Sequence, residues 1–535
     1  MTQSDARDSE LHNSSPIPRW IIKHAVSCRI FLGAFVITAI SCWQYISSML
    51  VVTSPGFTLD DSWIHLQFAR TIYEGTPFEY SPGYPSTGST SPLWSWILSG
   101  VFYVTTDTAN IVWGVFCISF AFYVGSSFLV GQLAMKYSEK ELWSYASIMG
   151  FVVVPRNSWV MLSGMETPLF LFLLILSIYV LDLPEIRYDF LFGLVAGLAF
   201  LARPEGAIVA ALGLTLRPVI LGAENRLSLH RIGSLALGGL IALAVAAPWL
   251  LYCMSVTSYP LPDTFYAKVH IPTESEIKAW NDWWLYFLME MPHIQIGAVC
   301  GAFLILKNRP FPWLFAISLT IMYRLATPYA SLINNARYLV PIFDLFMISA
   351  ILGLAVLMEK VIGLPLKRKI NPTKHRAIQC SGRTIVVCIT ILALVFPMTP
   401  SYMFQITFFG NAVKNINEQQ VHIGIWLSEN LPEDAVFVTH DAGALRFFSN
   451  LTMIDMAGLV SPDIVHGNMT PSETLEYLRN QGCEYFVFFD ELFSFWGSLL
   501  HYAYIRLYTV HLDDNVISGR DTMSVFWINW TQAWY

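Results

Sequence analysis

What most constrains this chain is the number of apolar runs it carries. Segments rich in Leu, Ile, Val, Phe and Ala recur near residues 30–52, 92–106, 110–134, 142–160, 167–182, 189–203, 205–221, 233–252, 285–306, 311–327, 338–359 and 384–402. A helix needs about 20 apolar residues to cross ~30 Å of hydrocarbon. Backbone polar groups in lipid must be satisfied within the segment, so runs of this kind commit the chain to a polytopic bundle of membrane helices. Only 13% of the 535 residues are charged, against about 25% in soluble domains. The residues before the first run are polar, so a cleavable signal peptide is not expected.

Basic residues orient the bundle. Arg19, Lys23 and Arg29 precede the first run and place its N-terminus in the cytoplasm by the positive-inside rule. Lys136/Lys140, Arg217–Arg231, Lys307/Arg309 and the stretch 360–383, with seven Lys or Arg and no acid, belong on the same side. Twelve spans would contradict that parity. The 92–106 run follows Pro92, is short and carries Trp94 and Trp96, so it is expected as a juxtamembrane helix in the outer leaflet. Eleven transmembrane helices remain. The expected division is a cytoplasmic segment 1–29, a transmembrane domain 30–404 with a first external loop 53–109, and an extracytoplasmic domain 405–535. A multi-pass protein of the cell (inner, cytoplasmic) membrane is implied.

Residues 405–535 have a different character. Their 15 Asp and Glu outweigh five Lys and Arg, which disfavours nucleic-acid binding. Runs at 435–440, 453–456, 485–489 and 524–530 read as strands, and 419–430 and 473–481 as helices, so a small α/β domain is expected. The eight cysteines show neither a disulfide framework nor zinc spacing.

Chemistry-bearing residues gather on the outer side of this topology. Asp60 and Asp61 stand where the first span ends, and a carboxylate near hydrocarbon costs roughly 2.5–3.5 kcal/mol, which makes it a functional candidate. His65 and Arg70 follow in a loop rich in Gly, Pro, Ser and Thr. Glu166 lies in SGMETP, Arg203 and Glu205 in ARPEG, Tyr266 and Lys268 in PLPDTFYAKV, and Arg337 and Tyr338 in NNARYLVP. Carboxylates beside Arg and Lys are what a site needs to deprotonate a hydroxyl and to hold a phosphate leaving group.

The segment LDDSWIHLQFARTIYEGTPFEYSPG…GSTSPLW resembles the first external loop of GT-C-type membrane glycosyltransferases that use polyprenyl-phosphate sugars. The resemblance is nearest to the bacterial branch that contains the mycobacterial terminal arabinofuranosyltransferase. It is more distant to protein O-mannosyltransferases and the lipid A aminoarabinose transferase. SGMETPLF, LAFLARPEG, PLPDTFYAKV, ARYLVPIF and HDAGALRFFSN…MIDMAGLVSPDI recur in the same order in that branch. The resemblance implies a GT-C-like fold and inverting transfer of a sugar from a polyprenyl-phosphate donor to a hydroxyl of a cell-envelope glycan, lipid or protein. An acidic residue of the first loop, Asp60 or Asp61, would be the catalytic base, with a slight preference for Asp60. Arg203, Lys268 and Arg337 would stabilise the departing phosphate. No cofactor is expected with a monophosphate donor, whereas a diphosphate donor would call for a divalent metal on the carboxylates.

Two other classes compete. A lipid or glycan transporter usually shows inverted repeats and broken helices at the bilayer midplane, and no internal repeat is visible here. A non-catalytic glycan-binding membrane scaffold would be indifferent to loss of the Asp60 and Asp61 charges.

Overall fold

The computed structural model describes residues 19–307, 309–362 and 372–533. The start of the expected cytoplasmic segment, 1–18, and the centre of the 360–383 basic stretch lie outside the described residues. The chain forms a polytopic helical membrane fold joined to a C-terminal α/β domain.

All eleven runs expected as spans are helical. Six helices are long and apolar enough to cross a membrane unaided, His24–Val52, Thr108–Ser138, Gly206–Ala223, Leu229–Thr257, Pro328–Met358 and Gly382–Asn430. The others are shorter or broken, and proline marks the breaks. The 142–160 run is interrupted after Val152, just ahead of Pro155, and resumes as Asn157–Met161. The 285–306 run turns by 90° between Glu290 and His293, where Met291 and Pro292 intervene. Proline lacks the N–H that would continue the helical ladder and clashes with the preceding turn. Helix 92–102 has 11 residues, about 16 Å at 1.5 Å per residue, too short to span. Trp94 is buried and donates its indole N–H to the Gly164 carbonyl at 3.0 Å.

Three of the basic clusters meet at one end of the bundle around two buried acids. Lys136 and Arg309 approach Asp182 at 3.9 and 3.6 Å, and Arg231 pairs with Asp189 at 2.8 Å.

The first loop carries the helix Asp61–Glu74 and a small hairpin, β1 (Glu79–Ser81) with β2 (Tyr84–Pro85). The C-terminal domain holds β3 (Val436–Thr439), β4 (Thr452–Asp455), β5 (Cys483–Phe489), β6 (Tyr504–His511) and β7 (Thr522–Ile528) in the order β4-β3-β5-β7-β6. β3 runs parallel to β4 and β5, while β7 is antiparallel to β5 and β6. Strand β6 was not expected. Its side chains are all exposed or half-buried, so it lacks the buried apolar run that marks β5 and β7 in the sequence.

The hairpin is sewn to the edge of this sheet. The Met453 N–H donates to Ser81 Oγ at 3.2 Å, the Tyr80 hydroxyl to the Ala442 carbonyl at 2.6 Å, and Arg446 Nε to the Tyr80 carbonyl at 3.1 Å. A Cβ on Gly88 would lie 2.2 Å from the Leu459 carbonyl oxygen, so only glycine permits the approach of loop and domain there.

Candidate active site

The helix Asp61–Glu74 sets the geometry. With 3.6 residues per turn, Asp61, Ile64 and His65 share one face and Arg70, nine residues on, falls opposite. The structure follows that spacing. Asp61, Ile64 and His65 line a cavity of ≈ 330 Å³, within the range of small-molecule sites, about 300–1,000 Å³. Arg70 faces the C-terminal domain. It donates to the Phe447 carbonyl at 2.9 Å and lies 3.7 Å above the Phe447 ring, so it takes no part in the cavity.

Glu166, Arg203, Glu205, Lys268, Arg337 and Tyr338 also line the cavity. Each comes from a helix end or break, which is why residues remote in sequence converge. Glu166 precedes Thr167–Leu181, and Arg203 sits extended in the gap between Arg187–Ala202 and Gly206–Ala223. Arg337 is presented by three successive left-handed residues, Asn334, Asn335 and Ala336 (φ +54°, +61° and +54°). Asn tolerates that region and Ala does so at a cost, and such conformations persist where the surroundings fix them.

Tyr338 organises the cations. The charged groups of Arg203, Arg337 and Lys268 lie 4.8, 4.9 and 5.9 Å from its ring centroid, within cation–π range. Its hydroxyl receives a hydrogen bond from Arg337 at 3.2 Å and one from Lys268 at 3.3 Å. Arg337 Nη2 donates to Asp61 Oδ2 at 2.5 Å. Arg203 donates to Glu205 at 2.6 Å and to the Tyr323 hydroxyl at 2.9 Å, and lies 3.6 Å from Glu166. His65 Nε2 lies 3.3 Å from the other Glu166 oxygen. Among the described residues, Lys268 makes no ion pair with a carboxylate within 4.0 Å, and Arg203 Nη1, Arg337 Nε and Arg337 Nη1 are buried donors without a hydrogen-bond partner.

Burial pushes the Asp61 carboxyl up, but Arg337 and then Lys268 outweigh it and hold the group below the usual carboxylate range. Burial likewise opposes ionisation of Glu166, yet His65 and Arg203 hold it down at about 2. Burial lowers Lys268, and Tyr338 and Asp61 more than reverse that. Asp61, Glu166 and Lys268 are therefore charged at neutral pH, with donors left over.

Asp60 points elsewhere, which corrects the preference for it as the cavity carboxylate. Its Oδ2 accepts from the Gly443 N–H and its Oδ1 from the Ala444 N–H, both at 2.7 Å, at the start of the short helix Ala444–Ser449. Consecutive helical residues diverge by about 100°, so one carboxylate meets the cavity and the other the C-terminal domain. Tyr266 is outside the cavity too. Its ring packs against Tyr259, Phe265 and His466 at 5.1, 5.5 and 5.5 Å. Sequence reasoning missed Tyr323, which lines the cavity and also donates to Glu205 in a very short hydrogen bond. It missed as well the pairing of Asp263 with His466 at 3.0 Å, which holds the Lys268 helix, Asp263–Lys268, against the C-terminal domain. Among the described residues no group of three or more His, Cys, Asp or Glu is placed to hold a metal ion.

The chain resembles known proteins at two levels. Residues 414–526 match a family model described as a domain of unknown function, DUF8728. A search by sequence returned no match among curated proteins. Among solved structures the fold is similar to ArnT from Cupriavidus metallidurans bound to undecaprenyl phosphate, at TM-score 0.57 and 12% identity, over 94% of this chain and 98% of that one. The apo state of the same protein gives 0.56 with the same identity and coverage. At this identity the likeness establishes the fold, a GT-C polytopic architecture.

Proposed function

We propose that this protein is an integral membrane glycosyltransferase that moves a sugar from a polyprenyl-phosphate donor to a hydroxyl of a cell-envelope glycan, lipid or protein. The observation that carries the reading is the pairing of one carboxylate, Asp61, with three cations gathered on a single tyrosine ring in one cavity. The solved structure of similar fold binds undecaprenyl phosphate, which supports a lipid phosphate as the donor's leaving group.

Asp61 accepts the proton of the acceptor hydroxyl as the new bond forms at the anomeric carbon. The bond from that carbon to the phosphate oxygen breaks on the opposite side, so the configuration inverts and polyprenyl phosphate departs. Lys268 and the unpartnered N–H groups of Arg337 and Arg203 receive the charge that grows on the phosphate. Glu166 and Glu205 keep Arg203 in place and charged. Because Arg337 and Lys268 serve both Asp61 and the phosphate, arrival of the anion draws them from Asp61 and makes it a stronger base. Cations supplied by the chain carry out this chemistry without a metal. The orientation that fits has the cavity and C-terminal domain outside the cell membrane.

The test is transfer by membranes holding the full chain, offered a panel of polyprenyl-phosphate sugars. Wild type should release polyprenyl phosphate with transfer, and Asp61→Asn should lose about 10²–10⁴-fold in rate, the usual worth of a positioned base. Undiminished transfer by Asp61→Asn would refute Asp61 as the base, and absence of transfer and of polyprenyl phosphate release by wild type with every donor would return the scaffold and transporter readings.

A further inference from the structure

A second cavity of ≈ 410 Å³ lies at the seam between the β1–β2 hairpin, the end of helix Leu229–Thr257 and the C-terminal domain. Its lining differs in kind from that of the first. Where Arg203, Lys268 and Arg337 face the first cavity, no Lys or Arg among the described residues lines the second. It presents instead the rings of Tyr84 and Tyr477, the carboxylate of Asp463 and the hydroxyls of Ser81 and Ser461.

This surface is preorganised. The Tyr477 hydroxyl donates to Asp463 Oδ2 at 3.0 Å, and the Tyr84 hydroxyl to Gln481 Oε1 at 3.3 Å. Ser81 is fixed to the backbone of Met453 on the sheet edge. The turn Pro82–Gly83 that lifts Tyr84 uses φ +77° at Gly83, where a Cβ would meet nothing, so the rim is open. Tyr84 is 48% exposed, a large ring held out at a polar groove.

The two cavities share walls. Leu459 lines the first and Val460, the next residue, lines the second; Tyr84 and Pro85 line the second, while Gly88 and Thr90 of the same strand of chain line the first. A ligand in the seam therefore lies against segments 85–88 and 459–460, which also wall the cavity that Asp61 lines.

We infer that the seam cavity is a saccharide-binding subsite, which seats a neutral sugar residue of the acceptor while its hydroxyl reaches the neighbouring cavity. This rests on the glycosyl-transfer reading for the acceptor's fate, though not for binding itself. Tyrosine offers an apolar face to the C–H side of a pyranose or furanose ring together with a polar tip. A carboxylate and hydroxyls accept and donate to the ring's hydroxyl groups. The absence of cations from the lining assigns phosphate to the first cavity and neutral carbohydrate to the second.

The experiment measures binding of the purified full chain in nanodiscs to a panel of neutral trisaccharides of mannose, galactose, glucose and arabinofuranose, with a phosphorylated trimannoside as the anionic control. At least one neutral member should bind in the millimolar range or tighter and the phosphorylated one should not gain affinity. Tyr84→Ala and Asp463→Asn, both near the surface, should each weaken that binding about tenfold, 1.4 kcal/mol, while leaving the melting temperature within a degree or two. Absence of binding by every neutral member, or binding that ignores both seam variants, overturns the subsite. Undecaprenyl phosphate binding is followed in parallel. Its absence beside intact trisaccharide binding refutes the proposed donor and leaves the saccharide site standing, so the two failures are distinguishable.

Discussion

The division of labour between Asp60 and Asp61 makes a prediction that separates stability from activity. Asp60 accepts two backbone N–H groups of the C-terminal domain and is not among the described residues that line the cavity. Replacing it with Ala leaves both donors buried and unpaired, at about 1–3 kcal/mol each, so about 2–6 kcal/mol of loop-to-domain docking is lost. Asp60→Asn keeps one acceptor and turns an amide N–H against the other donor, which costs about half as much. Burial and the Asp441 charge push the Asp60 carboxyl well up, against the two N–H bonds. The orphaned donors carry the cost in either protonation state. Asp61→Asn, by contrast, removes the charge from a pair whose Asp61 side chain is 26% exposed and whose Arg337 is buried, yet keeps an amide oxygen to accept from Arg337, and should act mainly on turnover.

The assay is a pair of measurements on each variant in the same membranes: transfer rate, and the protease resistance and melting temperature of the C-terminal domain. Asp60→Ala should lower the melting temperature by several degrees and expose the first loop to cleavage, with transfer reduced only in proportion to the folded fraction. Asp61→Asn should lose about 10²–10⁴ in transfer with little change in melting. The reverse pattern, Asp60→Asn inactive yet fully stable and Asp61→Asn active, would refute the assignment of the two carboxylates.

Three further outcomes follow from single contacts. Lys268→Gln should weaken undecaprenyl phosphate binding by about 10- to 100-fold, the worth of a charge-assisted contact, and titration by fluorescence quenching checks it; unchanged affinity would remove Lys268 from the donor site. Gly443→Ala would place a Cβ 2.0 Å from the Asp60 carbonyl oxygen and should lower the melting temperature as much as Asp60→Ala. Burial lifts the Asp455 carboxyl to about 7 despite N–H bonds from Ala457, Leu459 and Val460, with Asp441 adding to the rise. A carboxyl raised on folding contributes stability below its unfolded value near 4 that is lost as pH rises through about 7. The melting temperature should therefore fall between pH 5 and 8, and Asp455→Asn should flatten that slope.

The sequence carried much of this architecture because hydropathy and proline act locally. Every expected span is helical, and the breaks fall beside Pro155, Pro204 and Pro292. The gathering of Glu166, Arg203, Lys268 and Arg337 was legible from their positions at run ends that the positive-inside rule assigns to one side. Helical spacing would also have separated Arg70 from Asp61, had it been applied past the first turn. Tyr323 was not legible, since a tyrosine at the end of an apolar run is ordinary at a membrane interface. Nor was the Asp263–His466 pair, whose partners lie 203 positions apart and depend on how the C-terminal domain docks. The hub role of Tyr338 required knowing that three chain breaks place their cations on one ring.

The contacts of Asp60 give the C-terminal domain a part in positioning the cavity carboxylate. Asp60 and Asp61 occupy the first positions of one helix, so fixing one fixes the azimuth of the other. The domain holds Asp60 through Gly443 and Ala444, and holds the same helix again through Arg70 on Phe447 and Trp63 between Phe447 and Phe448. On the far side of the cavity it holds the Lys268 helix through His466. Asp61 and one of the cations that face it are thus braced by one domain, although neither belongs to it. A precise arrangement of that kind is needed because misplacement of a reacting group by 1 Å can cost about 10²-fold in rate. A chain lacking residues beyond 430 would keep all the polar side chains lining the cavity, since Leu459 is the only lining residue that the domain contributes among those described. It should nevertheless lose transfer, and restoring the domain as a separate polypeptide should recover activity only if Gly443 and His466 are intact.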